Sequence, residues 1–138
     1  MSEVYDRSFD DTVLRAVVVL GLLGVALVHF LDLFGKFRET PYLGGAFVAL
    51  IVACLVVAFA LAQRGSTVAW SATAVVAVLP FLGYVISRTA GLPAATDDIG
   101  NWMEPLGLAS LFVEGLVALV GVYMAALMSR SYARLAER

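Results

Sequence analysis

One cysteine and one histidine in 138 residues remove several chemistries at the outset. Cys54 has no second cysteine to pair with, so the chain holds no internal disulfide, no C-x-x-C redox pair and no thiolate zinc site. His29 is the sole histidine, so two histidines of one chain cannot ligate a haem. Charge is equally scarce. Only 14% of residues are Asp, Glu, Lys or Arg, the net charge is −2, and no basic run longer than an alternating pair occurs, which argues against nucleic acid as a partner. No phosphate-binding loop, nucleophile–base spacing or cofactor motif is present, and the reading leans away from an enzyme.

What the sequence has in excess is apolar length. Hydrophobic residues make up 62% of the chain and mean hydropathy is +0.93, well above the roughly 45–50% apolar share of soluble domains. Four apolar runs fall at about 12–34, 42–62, 68–87 and 106–128. A helix rising about 1.5 Å per residue needs about twenty residues to cross roughly 30 Å of hydrocarbon, and each run meets that length. The expected fold is a single all-α membrane domain over residues 1–138, a four-transmembrane-helix bundle in the plasma membrane. A cleaved leader is not expected, because the segment before the first run is acidic and no small-residue cleavage pattern follows it.

Helix boundaries carry local signals. Ser8 with Asp11 three residues on resembles a capping box and predicts a first helix starting near Phe9. Thr40 before Pro41 predicts an N-cap followed by proline at the first helical position, and Pro105 opens the fourth run in the same way. Pro80 lies mid-run in the third span, where a missing N–H predicts a kink between Val76 and Pro80. Residues 39–50 resemble 104–115 faintly, as a duplicated hairpin would.

An even number of spans puts both termini on one side. Arg7, Arg15, Arg64, Arg130, Arg134 and Arg138 then face one compartment, and Lys36, Arg38 and Arg88 the other. The excess of basic residues predicts cytoplasmic N- and C-termini and an extracellular loop between helices 3 and 4. Tyr42 and Trp102 would sit in the outer aromatic belt, Trp70 and Tyr132 in the inner one. The loop, 88–105, mixes turn formers with Leu92, Ile99, Trp102 and Met103, and is expected to lie on the bundle as an ordered cap. Asp97, Asp98 and Trp102 on it are candidate partner contacts.

Charges within spans cost about 2.5–3.5 kcal/mol each at a helix centre, so each needs a reason. His29 lies about 8 Å inside the outer end of span one, with Asp32 three residues on along the same face. Glu114, about 13 Å past Pro105, is the deepest charge. Gly107, Ser110, Ala118 and Gly121 share its helix face, and such small residues allow a close helix neighbour. Packing span one against span four would bring His29 and Glu114 together, with Asp32, Arg88 and Glu104 nearer the mouth. This constellation predicts an outward-facing polar pocket that binds a ligand, ion or partner, in a non-enzymatic accessory subunit. His29, Asp32 and Glu114 are also suitable types for a divalent metal, and the same residues could exchange protons with a quinone headgroup or a transported solute. A purely structural account pairs Asp32 with Lys36, Arg88 with Glu104 or Asp97, and His29 with Glu114. The expected surroundings are the lipid bilayer and a homo-oligomer or larger membrane complex.

Overall fold

The computed structural model describes the backbone of residues 2–136, with side chains described from residue 11 onward apart from 132, 135 and 136. Four helices follow one another: α1 (Ser2–Glu39), α2 (Pro41–Gln63), α3 (Thr67–Thr89) and α4 (Pro105–Ala136). All four are long and apolar enough to cross a membrane, and no strand occurs among the described residues. Their outward faces carry Leu20, Phe30, Val52, Phe59, Leu79, Phe112 and Leu119, all exposed within the isolated chain. A continuous apolar exterior of this kind is stable only against hydrocarbon or another apolar surface.

Helix ends depart from the sequence expectations in instructive ways. α1 begins at Ser2 rather than near Phe9, so Ser8 is inside the helix and does not cap it. It also continues through the charged 35–39 segment, because Lys36, Arg38 and Glu39 are good helix formers whatever their solvent. Thr40 is the N-cap of α2 and Pro41 follows it, but the threonine hydroxyl makes no cap bond and instead donates to the Ala94 carbonyl at 3.5 Å. Ser66 caps α3 by accepting from the Ala69 N–H at 3.2 Å. α4 is capped by Glu104, whose two carboxylate oxygens accept from the N–H groups of Leu106 (3.0 Å) and Gly107 (2.6 Å). α3 runs unbroken through Pro80.

The helices pair as two hairpins, α1 with α2 and α3 with α4, and the hairpins meet chiefly along α1 and α4. The close approach there depends on Gly21, where a Cβ would collide with the Val117 side chain. The small-residue stripe of α4 serves another neighbour. A Cβ at Gly121 would lie 2.9 Å from the Ala74 amide nitrogen of α3, and Gly107 lies under the Tyr84 ring, so the stripe seats α3 rather than α1. Val18, Leu22, Val25, Cys54, Leu61 and Ala77 form the core with Trp70. Trp70 is completely buried, not in an interfacial belt as its position near a span end suggested. Tyr132 and Arg138, placed by the sequence at the same end, lie outside the described side chains.

Candidate functional site

α2 and α3 are the least engaged neighbours in the bundle, and the gap between them is a cavity of about 560 Å³ to which all four helices contribute. Leu43, Phe47 and Leu50 of α2 and Val76, Leu79 and Pro80 of α3 give it apolar walls. Pro80 has no N–H to donate, so the Val76 carbonyl one turn back lacks its helical donor beside this wall. The opposite wall, from α1 and α4, is polar: His29, Asp32 and Lys36 on one helix, Ser110 and Glu114 on the other. Arg88, Asp98 and Glu104 border the end nearest the 90–104 loop.

His29 and Glu114 meet at the inner end. His29 Nε2 is 3.6 Å from Glu114 Oε1, and both side chains are buried. The imidazole is oriented from two sides. Its Nδ1 donates to the Val25 carbonyl at 3.0 Å, and its ring stands edge-on to Phe47 with centroids 4.7 Å apart. With the Nδ1 proton committed to Val25, a neutral His29 turns the lone pair of Nε2 towards Glu114. Ser110 Oγ, one turn before Glu114, lies 2.5 Å from Oε1. Glu114 Oε2 has no hydrogen-bond partner although it is buried. Buried carboxylate oxygens left unsatisfied are costly, and among the described residues this is the one carboxylate oxygen so placed, beside four buried donor or hydroxyl atoms that also lack a partner: Arg15 Nε, Thr67 Oγ1, Trp70 Nε1 and Arg88 Nε.

The mouth is a network of ion pairs. Arg88 is 6% exposed; its Nη1 bonds Asp98 Oδ1 at 2.8 Å and its Nη2 lies 3.7 Å from Glu104 Oε2. The guanidinium also sits 4.7 Å from the centroid of the Tyr84 ring. Lys36 reaches Glu39 at 3.2 Å and Asp98 at 3.4 Å. Besides the Thr40–Ala94 bond, three more hold the loop against the helices. Gly100 N–H donates to the Arg88 carbonyl (2.9 Å), Tyr42 O–H to the Pro93 carbonyl (2.7 Å), and Tyr84 O–H to the Trp102 carbonyl (3.2 Å).

Against the sequence reading, the structure brings His29, Asp32, Arg88, Glu104 and Glu114 around one cavity. It does not gather His29, Asp32 and Glu114 into a ligand set: no group of three or more His, Cys, Asp or Glu side chains suited to a metal occurs among the described residues. The reason is geometric, since Asp32 is a turn nearer the mouth than His29 and makes no ion pair with Lys36, which has turned to Asp98 and Glu39. Arg88 pairs with Asp98 rather than Asp97, and Asp97 is exposed. Of the candidate partner contacts, Asp98 is thus turned inward, while Trp102 stacks edge-on to Tyr84, centroids 6.0 Å apart, and keeps an exposed face. Ser110 and Tyr84 were missed as polar site residues. Ser110 was legible one turn from Glu114, whereas Tyr84 owes its role to a loop whose path the sequence does not specify.

Comparison with protein-family models, with curated proteins and with solved structures gives no match for this chain. The functional reading therefore rests on the cavity.

Proposed function

We infer that this protein is a non-enzymatic multi-pass membrane protein that binds a small amphipathic molecule in the cavity between α2 and α3. The observation that carries the reading is the cavity's two-sided lining. Aliphatic and aromatic side chains of α2 and α3 face a wall bearing His29 and Glu114, in a volume of about 560 Å³. Small-molecule sites are typically apolar clefts of about 300–1,000 Å³ with a few convergent polar groups, and this cavity has that size and character. Its lateral walls are membrane helices, so an apolar ligand body can be accommodated without desolvating polar backbone.

The basic residues favour a particular orientation. Six of the nine Lys and Arg belong by sequence to the two termini and the α2–α3 connection, an excess that supports a cytoplasmic position for that end and an outward-facing Arg88–Asp98 mouth. In this arrangement the 90–104 loop is an ordered outer cap. Its Asp97 side chain and the free face of Trp102 are then available to a neighbouring subunit, while Asp98 is already bonded to Arg88.

Native mass spectrometry of the protein released gently from its own membrane tests the reading. A small molecule bound at one per chain is the expected result, lost when Ala53→Trp fills the cavity from α2. A wild-type protein that carries no small molecule in several lipid-retaining preparations overturns it.

A further inference from the structure

Resting on that reading, we propose that the cavity selects an organic cation: an apolar body ending in a protonated amine, whose N–H groups bridge Glu114 Oε2 and His29 Nε2 and displace the one proton those groups hold when empty.

The charge around the cavity points this way. Four carboxylates border it, Asp32, Asp98, Glu104 and Glu114, against the two cations Lys36 and Arg88. Both cations are already engaged by carboxylates, Lys36 by Asp98 and Glu39, Arg88 by Asp98 and Glu104. What an anionic ligand would find open in the lining is the Arg88 Nε–H, which has no hydrogen-bond partner but belongs to a guanidinium already facing two carboxylates. A cationic one meets an excess of acidic groups, the deepest with an orphaned oxygen.

The geometry at the inner end specifies the kind of cation. With Nδ1 donating to Val25, His29 Nε2 and the Glu114 carboxylate are two acceptors facing one another at 3.6 Å. Two facing acceptors are stable only when a proton lies on one of them, so the empty pair carries one, on Glu114 or on His29. An ammonium group offers up to three donors and no acceptor, and can satisfy both atoms at once. The exchange balances in charge and atoms: R–NH₃⁺ enters, the pair's proton leaves to water, and no covalent bond is made or broken. Other titratable or charged groups around the pair are Asp32 and Lys36 on α1, Cys54 on α2, Tyr84 and Arg88 on α3, and Asp98 and Glu104 at the mouth. The ion-paired ones among these, Lys36, Arg88, Asp98 and Glu104, are already committed at the mouth.

Three probes with one apolar body test this: 1-naphthylmethylamine, 1-naphthylmethanol and 1-naphthoate. Binding is measured by titration calorimetry to protein in phosphatidylcholine nanodiscs, with empty discs subtracted. The expected result is that the amine binds at least tenfold more tightly than the alcohol, and that naphthoate binds least. Amine binding releases about one proton to a weakly buffered solution, and its affinity rises with pH while the amine stays protonated and the empty pair still holds its proton, whereas the alcohol's is flat. E114Q keeps the size of the side chain and removes its charge, and is expected to abolish the amine preference and proton release while retaining the alcohol. Should E114Q fail to fold, the pH dependence of the wild type decides. Equal binding of amine and alcohol, or tighter binding of naphthoate, overturns the cation assignment and leaves the small-molecule site standing. No binding of any probe, with no co-purified molecule by mass spectrometry, overturns both.

Discussion

Replacing Arg88 by methionine removes the hub on which the 90–104 loop is pinned. The guanidinium donates to Asp98 at 2.8 Å, lies 3.7 Å from Glu104 and covers the Tyr84 ring. A hydrogen bond to a charged group contributes about 1.5–3 kcal/mol, and a cation over an aromatic face about 0.5–1 kcal/mol where partly exposed. Fully buried ion pairs lose about 3–5 kcal/mol when one partner is cut, but here Asp98 and Glu104 are part-exposed and Lys36 remains 3.4 Å from Asp98, so the lower range applies. A weakening of loop docking by about 2 kcal/mol follows, equivalent to roughly a thirtyfold rise in the opening equilibrium. Amide hydrogen exchange at Gly100, whose N–H donates to the Arg88 carbonyl, reads this directly. Arg88→Met is expected to speed exchange at Gly100 and Asn101 about thirtyfold while the core around Trp70 is unchanged. Arg88→Lys falls between, because a point charge can keep Asp98 but not the fork that also reaches Glu104. Exchange within threefold of wild type in Arg88→Met would refute the assignment of Arg88 as the anchor of the loop.

Two further perturbations address how the helices start and pack. Gly121→Ala drives a Cβ to 2.9 Å from the Ala74 amide nitrogen, where backbone must move, whereas Gly45→Ala meets nothing within 4 Å. Overpacking costs about 1–3 kcal/mol and the glycine-to-alanine change returns about 1 kcal/mol of helix propensity in each case. Gly121→Ala should therefore melt several degrees below Gly45→Ala in a detergent thermal scan, and equal melting would place α3 and α4 further apart than described. Glu104→Ala removes both cap acceptors of α4 and is expected to cost about 0.5–2 kcal/mol, with Glu104→Gln recovering part of it by keeping one amide oxygen. Equal denaturation midpoints for the two variants would show that the carboxylate does not cap.

The four helices were legible because apolar length is a coarse signal that survives any detail of packing, and proline at the start of α2 and α4 marked their first residues. The meeting of His29 with Glu114 was legible for a related reason: depth along a helix follows from residue count, and two charges at similar depth in one bundle have few other partners. Finer assignments failed where two neighbouring residues compete. Asp97 and Asp98 are indistinguishable in sequence, and only the turn ending at Gly100 decides which one faces Arg88. Trp70 near a span end reads equally as belt or core, and the α2–α3 turn beside it, with Gly65 close to its indole, settles it as core. Glu104 read as a mouth charge because its cap role depends on the chain entering α4 at the right angle.

Whether the cavity holds a ligand can be read from a single cysteine placed in its lining. In a Cys54→Ala background, Leu92→Cys puts a half-buried thiol on the 90–104 loop, in the lining of the cavity. A membrane-impermeant maleimide is expected to modify this thiol from outside intact cells, and 1-naphthylmethylamine to slow the reaction at least tenfold. Modification only after the membrane is opened would reverse the orientation, and a rate unchanged by the amine and by every co-purified small molecule would contradict the ligand site itself.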